Sequence, residues 1–497
     1  SASEVMNQAL QQISWSIDTI GEQPLARSKD DDWKLWGLSV KGTPLVVFNP
    51  LPFTVTVPVE ACGDLHAVRK ARDAEAGDQA DLMAVTDAAG RRLPIQRVRS
   101  AITNHADGKW NTLFLASLPP LGYSTFWLHK HSESPGPDVT APEHGPHFRY
   151  APVLLADDGS GMENAYVRIV LSAADGGLVS LFDKQINREL LSAPASVGLV
   201  IDETHSDTWG HGLKEYRKVI GTFKYGKLTV LEAGPLRGVI RLTTSWGQSS
   251  LEQDFHVYCD RPDIEVQARI FWQEKHRMLK IEFPLSIREA MTTHEIPYGF
   301  LKRPMDGEEK PIQHWVDIGN GVYGLAVLND SSHAVDVKDS IVRLTILRGA
   351  AYADHYGERD DRCQYMDQGE SLVKYTLCPY SGDWRSAAIQ QKAMILNTTI
   401  PSVYETYHKG SLPLCGSGLA INAANILMTV FKLAEDNAGY ILRCYESTGQ
   451  ATVAEIDLPL LGRRWETSFT PCQIKTFYLP FDSVLPVRDV NILELDL

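Results

Sequence analysis

The residue pattern of this 497-residue chain predicts a mainly β protein, antiparallel sandwiches preceded by one α-helix. Three observations carry that prediction. From Pro44 onward the pattern has period two, with Val55, Val57 and Val59 alternating with Thr54, Thr56 and Pro58, as in a half-buried strand. Further β-rich runs follow at 239–246, 341–347 and 441–445, and turn signals bound them at 87–90, 175–177, 233–235 and 319–321. No regular alternation of strands with helices appears, which argues against a parallel α/β sheet.

The chain opens on the exception. Met6, Leu10, Ile13, Ile17 and Ile20 recur at spacings of four and three, one apolar stripe of a helix over 3–20 that Gly21 would stop. Such a stripe has to be buried against something. It is therefore expected to fray, to pack on the β body, or to pair with another copy of the chain. A linker rich in Lys and Asp, 26–40, leads to a small β domain at 41–131. The segment 132–146 is proline-rich and almost without apolar residues, a second linker. A long β block at 147–400 follows, and Pro, Ser, Gly and Tyr near 398–413 set off a C-terminal β portion at 401–497.

Composition restricts function. Apolar residues make up 43% and charged residues 22%, the balance of a folded globular protein. The net charge of −14 repels phosphates and anionic lipid, and no Lys/Arg cluster offsets it, so no nucleic-acid partner is expected. The longest apolar runs, 44–53 and 421–433, are interrupted well short of the ~20 residues that span a bilayer, so no membrane partner is expected either. Seven dispersed cysteines without a C-x-x-C pair argue against a disulfide framework and a thiolate zinc site, and point to a reducing cytoplasm. Ser1 is not a translational start, so the native N-terminus is expected to lie elsewhere.

No G-x-S-x-G, Walker loop or H-E-x-x-H is present, which leaves esterase, nucleotide hydrolase and metalloprotease readings without a motif. His105 and Asp107 form one His-x-Asp pair; Asp202, Glu203, His205, Asp207 and His211 crowd a second polar stretch. A third, 354–367, is too charged for a core and reads either as a solvated hairpin or as a binding edge. Trp209, Trp246, Trp272, Trp315 and Trp384 are the tryptophans that could stack on a sugar, although in a sandwich most tryptophans are core residues.

Several segments together resemble the C-terminal β region of glycoside hydrolase family 38, the retaining zinc-dependent α-mannosidases. They include VFNPLPF at 47–53, ENAYVRIVLSAADGGLVSLFDKQINREL at 163–190, DTWG at 207–210, ARIFWQEKHRMLKIEFPL at 268–285 and HEIPYGFLKRP at 294–304. YGLAVLND at 323–330, LTILRG at 344–349, YMDQGES at 365–371 and FKLAEDNAGYILRCYE at 431–446 continue the series. Their order and spacing over roughly 450 residues carry the resemblance, which is nearest in feel to bacterial, mannosylglycerate hydrolase-like members. It implies that 1–25 is the last helix of a truncated helical bundle and that 147–400 is a large mutarotase-like supersandwich. It further implies that a catalytic α/β domain, partner in cis and holder of the zinc, precedes the region present. Neither His105/Asp107 nor His205/Asp207 stands in the context of the family's zinc ligands, so no catalytic residue and no metal ligand is assigned here. Where relatives read Pro-His-x-Gly, this chain has Tyr380 in place of the histidine. The family places loops beside the leaving-group subsite, and on that basis Arg362, Asp207 and Trp209 are the expected substrate-binding residues for an α-mannoside. Two rival readings stand: a non-catalytic carbohydrate-binding module, and a stand-alone lyase or epimerase with His211, Tyr216 or His276 as acid and base. Linkage, aglycone and a homo-oligomeric state are left open by the sequence.

Overall fold

The computed structural model describes residues 2–20, 42–62, 83–100, 110–130, 152–205, 207–352 and 362–496. His105, Asp107, both linkers and the greater part of the 354–367 loop lie outside the described residues. The chain divides into two units, one formed by 1–146 with 398–497 and the other by 147–397.

In the first unit the helix runs from Ala2 to Trp15, shorter than the sequence stripe predicts. At Ser16 the backbone turns on Ile13 and Ser14, and Ile17 then forms a parallel bridge with Leu412. Gly410 permits that approach, since a Cβ there would stand 2.2 Å from the Ser16 carbonyl oxygen. Leu10 and Ile17 pack on Val46, Phe48 and Tyr123, so the β body takes up this end of the stripe, whereas Met6 and Ile13 remain exposed. The strand Thr43–Asn49 lies between Gly122–Lys130 and Ser402–Tyr404, and Cys415–Ser417 also pairs with Gly122–Lys130. Stretches that the sequence reading kept in separate domains thus share a sheet. A three-residue strand carries too little local pattern to announce so distant a partner. The C-terminal strands form two small sheets over a core that includes Leu442, Ile456, Phe469 and Phe477.

The second unit is built on a nine-stranded antiparallel sheet. Its order is Lys224–Ala233, Arg237–Trp246, Ser249–Tyr258, Ile264–Trp272, Gly369–Ser381, Tyr323–Asn329, Trp315–Gly319, Met291–Ile296 and Gly299–Arg303. A six-stranded sheet faces it, ordered Val219–Thr222, Val197–Asp202, Arg277–Pro284, Ile341–Arg348, Ala334–Lys338 and Lys310–Pro311. Phe283 of the smaller sheet meets Tyr375 of the larger edge-on, with ring centroids 5.5 Å apart. Tyr375 donates to Gln253 Oε1 at 2.7 Å, and Gln253 Nε2 donates to the Ser196 carbonyl at 3.0 Å, which ties the two sheets through their core. Because side chains alternate along a strand, Val200, Leu279, Ile281, Phe283 and Leu344 fill the space between the sheets and are buried. Each is worth about 1.5–3 kcal/mol of transfer free energy. A two-turn helix, Ile389–Leu396, packs Ile389 and Ala393 on Trp315, Cys378 and Trp384; at eight residues its period is too short to stand out in sequence. Among the described residues no helix is long and apolar enough to cross a membrane.

Candidate functional site

The face of the six-stranded sheet turned away from the sandwich core carries the chemistry. Leu199, Lys280 and Thr345 stand opposite one another in register, as do Ile201, Met278 and Arg348, so these side chains share that face. Lys280 is fully buried there and pairs with Glu309 and, at 2.6 Å, with Asp336, which also takes Arg217. Thr345 donates its hydroxyl to Glu309. A buried lysine is stable when carboxylates and hydrogen bonds replace its water, and here two carboxylates do so. The Tyr216 ring covers the layer, 6.0 Å from Lys280 Nζ and 5.5 Å from the Arg348 guanidinium.

Above Tyr216 runs DTWG. Asp207 Oδ1 accepts the backbone N–H of Trp209 at 2.9 Å and of Gly210 at 3.3 Å, the Asx turn that an aspartate forms readily. Gly210 has φ +61°, and a Cβ there would come within 2.6 Å of the Tyr216 hydroxyl, so this position demands glycine twice over. The turn presents Trp209 to solvent at 66% exposure, with the His211 ring 6.0 Å away. Trp272, Trp315 and Trp384 are buried and belong to the core.

Asp207 and Ala351 form a parallel bridge, and Ala351 and Tyr365 an antiparallel one. The structure therefore brings two polar stretches, separate in sequence, onto the two sides of residues 350–352. Tyr352 N–H donates to Gln364 O at 3.0 Å and Met366 N–H to Ala350 O at 3.0 Å, which completes the second connection. Arg362 is exposed at the start of this described segment. Tyr365 and His276 Nε2 lie 3.0 Å apart as a hydrogen-bonded pair, and Arg277 reaches Asp202 at 3.2 Å. Hydrogen bonds from Lys218 and Thr204 hold the Asp202 carboxyl well below the usual carboxylate range. Glu203 is buried beside Arg348; burial pushes its carboxyl up, the arginine pulls it back, and the net direction is upward.

Sequence reasoning named Asp207, Trp209, Arg362 and Glu203 but passed over Arg348 and Lys280. Their signal was a cation inside otherwise apolar strand runs, LTILR and MLKIEF, where a charge has to be paired. An exposed indole beside turn and charged groups can bind a polar ligand that offers one flat apolar face. Among the described residues no group of three or more His, Cys, Asp or Glu could hold a metal ion. The described residues of this site therefore do not offer the donor set that a zinc ion takes.

Residues 162–356 match the glycosyl hydrolases family 38 C-terminal domain, and 425–477 match the family 38 C-terminal β-sandwich domain. The first match contains Asp207, Trp209 and Arg348 and ends before Arg362. Alpha-mannosidase G of Dictyostelium discoideum is 26% identical over 369 residues, which is 68% of this chain and 31% of that protein. Alpha-mannosidase 2C1 of Homo sapiens is 26% identical over 380 residues, 72% of this chain and 34% of that protein. The chain thus spans about a third of the length of these relatives. The crystal structure of an alpha-mannosidase from Enterococcus faecalis V583 shares the fold, with TM-score 0.69 at 14% identity over 95% of this chain and 58% of that one. The chain thus carries, in order, stretches that match both C-terminal domains of glycosyl hydrolases family 38.

Proposed function

We infer that this chain is the β region of an α-mannosidase that hydrolyses terminal α-mannosides, and that it supplies loops to the leaving-group side of the sugar site. The observation that carries this reading is that the family 38 match spans the Asp207–Gly210 turn together with Arg348, which binds it. Relatives named as alpha-mannosidases align over more than two thirds of the chain, which supports the substrate class. In this reading the nucleophile, the acid catalyst and zinc lie outside the residues present, and the reaction proceeds with retention through a glycosyl-enzyme intermediate. The 497-residue chain alone is then expected not to cleave an aryl α-mannoside.

Within the site, Arg362 can make paired hydrogen bonds to vicinal hydroxyls or to a carboxylate aglycone, which a lysine does not reproduce. In the whole enzyme Arg362→Ala should lower kcat/KM on a mannose disaccharide or on mannosylglycerate by about 1–3 kcal/mol of transition-state binding. An activated aryl mannoside, which does not need that subsite, should lose less. Equal losses on both, or none on either, would remove Arg362 from the substrate site.

A further inference from the structure

One side chain joins Glu203, Tyr216 and the DTWG turn. Arg348 Nε donates to the Glu203 carboxylate at 2.6 Å, and its terminal nitrogens donate to the carbonyls of Asp207 at 2.9 Å and Thr208 at 3.4 Å. Its backbone N–H donates to Asp367 Oδ2 at 2.9 Å. Arg348 ends its strand, and three residues on Ala351 forms the bridges to both Asp207 and Tyr365. The Tyr216 ring supports the guanidinium from below.

We propose that Arg348 is the positioning residue of the site, fixing the 203–211 and 362–367 segments as one unit so that Trp209 and Arg362 address a saccharide together. This rests on the mannoside reading above. Three acceptors at the end of a single planar fork define the segment's height and orientation; an ammonium group satisfies them only in part, because it lacks the rigid fork. The pairing is also obligatory for Glu203, whose side chain is shut off from water and cannot remain charged beside a neutral residue. The second segment is tied to the same strand end by the backbone bonds of Tyr352 to Gln364 and of Met366 to Ala350, and its end by the Asp367 carboxylate on the Arg348 N–H. Asp367 has φ +49°, so glycine there removes the carboxylate without adding backbone strain.

Arg348→Lys and Asp367→Gly test this by two routes. With 5-fluorotryptophan in the 497-residue chain, the Trp209 resonance is assigned by its loss in Trp209→Phe. In Arg348→Lys that resonance should shift and broaden while those of Trp315 and Trp384, buried in a separate cluster, stay in place. In the whole enzyme both Arg348→Lys and Asp367→Gly should raise KM for a mannose disaccharide about tenfold or more and leave kcat/KM on an aryl α-mannoside within about threefold. An unmoved Trp209 resonance in folded Arg348→Lys overturns the proposal. So do equal losses on both substrates in Asp367→Gly, the variant kept for the case that Arg348→Lys does not fold. If the wild-type enzyme hydrolyses no mannoside, the mannoside reading fails, and the Trp209 resonance still decides whether Arg348 positions the loop.

Discussion

Tyr380 stands where the resembled family reads histidine, and its surroundings give it a place in the core. It is buried and donates its hydroxyl to Asp317, and Gly319 and Gly324 make room, since a Cβ at either would lie 2.4 or 2.2 Å from the tyrosine hydroxyl. Burial pushes the Asp317 carboxyl up to about 7, against the hydrogen bond from Tyr380 that lowers it. The folded state therefore keeps this proton while the unfolded chain releases it near 3.8. The resulting stability is fully present below about pH 4 and is lost as pH rises towards 7. Asp317→Asn should flatten that decline, measured by urea unfolding between pH 4 and 7.5 with the nearby Trp315 and Trp384 as probes; an unchanged slope would clear Asp317 of the effect. Such a pair is invisible in sequence. An aspartate and a tyrosine far apart along the chain meet only because Trp315–Gly319 and Gly369–Ser381 flank the same strand, Tyr323–Asn329.

At the scale of elements, Glu446 joins three connections of the C-terminal sandwich. Its carboxylate accepts the backbone N–H groups of Thr448, Gly449, Gln450 and Cys472 and the side-chain amide of Asn425. Burial alone would raise its pKa, yet these donors outweigh burial and the net direction is downward from 4.5. Its contribution is thus present above about pH 4.5 and lost as pH falls through the lower folded value. Glu446→Gln should cost about 1–3 kcal/mol, because buried N–H groups lose an acceptor. Calorimetry at pH 7 reads that cost, and an unshifted unfolding temperature would mean that the hub is dispensable. The strands themselves were legible: 239–246, 341–347 and 441–445 were marked by β-rich composition and fall within Arg237–Trp246, Ile341–Arg348 and Gly439–Glu446. The end of the first helix was not, because Ile17 and Ile20 keep helical spacing while Leu412 bonds the backbone of Ser16 and Asp18 and His408 that of Thr19 and Ile20.

For the whole molecule, period two together with the absence of β–α alternation was enough to give an antiparallel β protein. The family came from ordered motifs rather than from any single residue. The residues by themselves marked the 202–211 and 354–367 stretches only as polar; the family resemblance, not their pattern, put Arg362 with Asp207 and Trp209. That meeting depends on Ala351, an alanine with no chemistry to draw attention, and on an arginine hidden in an apolar strand. The polarity of the outer face of the six-stranded sheet follows from Lys280, Asp336 and Glu309, three charges on separate strands and loops that register alone makes neighbours. The central claim concerns the reaction that this region serves. It is tested most directly by purifying the intact gene product that carries residues 1–497 and measuring its hydrolysis of aryl α-mannoside, aryl β-mannoside and aryl α-glucoside side by side. Turnover of the α-mannoside well above the other two is the expected result; turnover of another glycoside in its place, or of none by a folded and metal-replete enzyme, would contradict it.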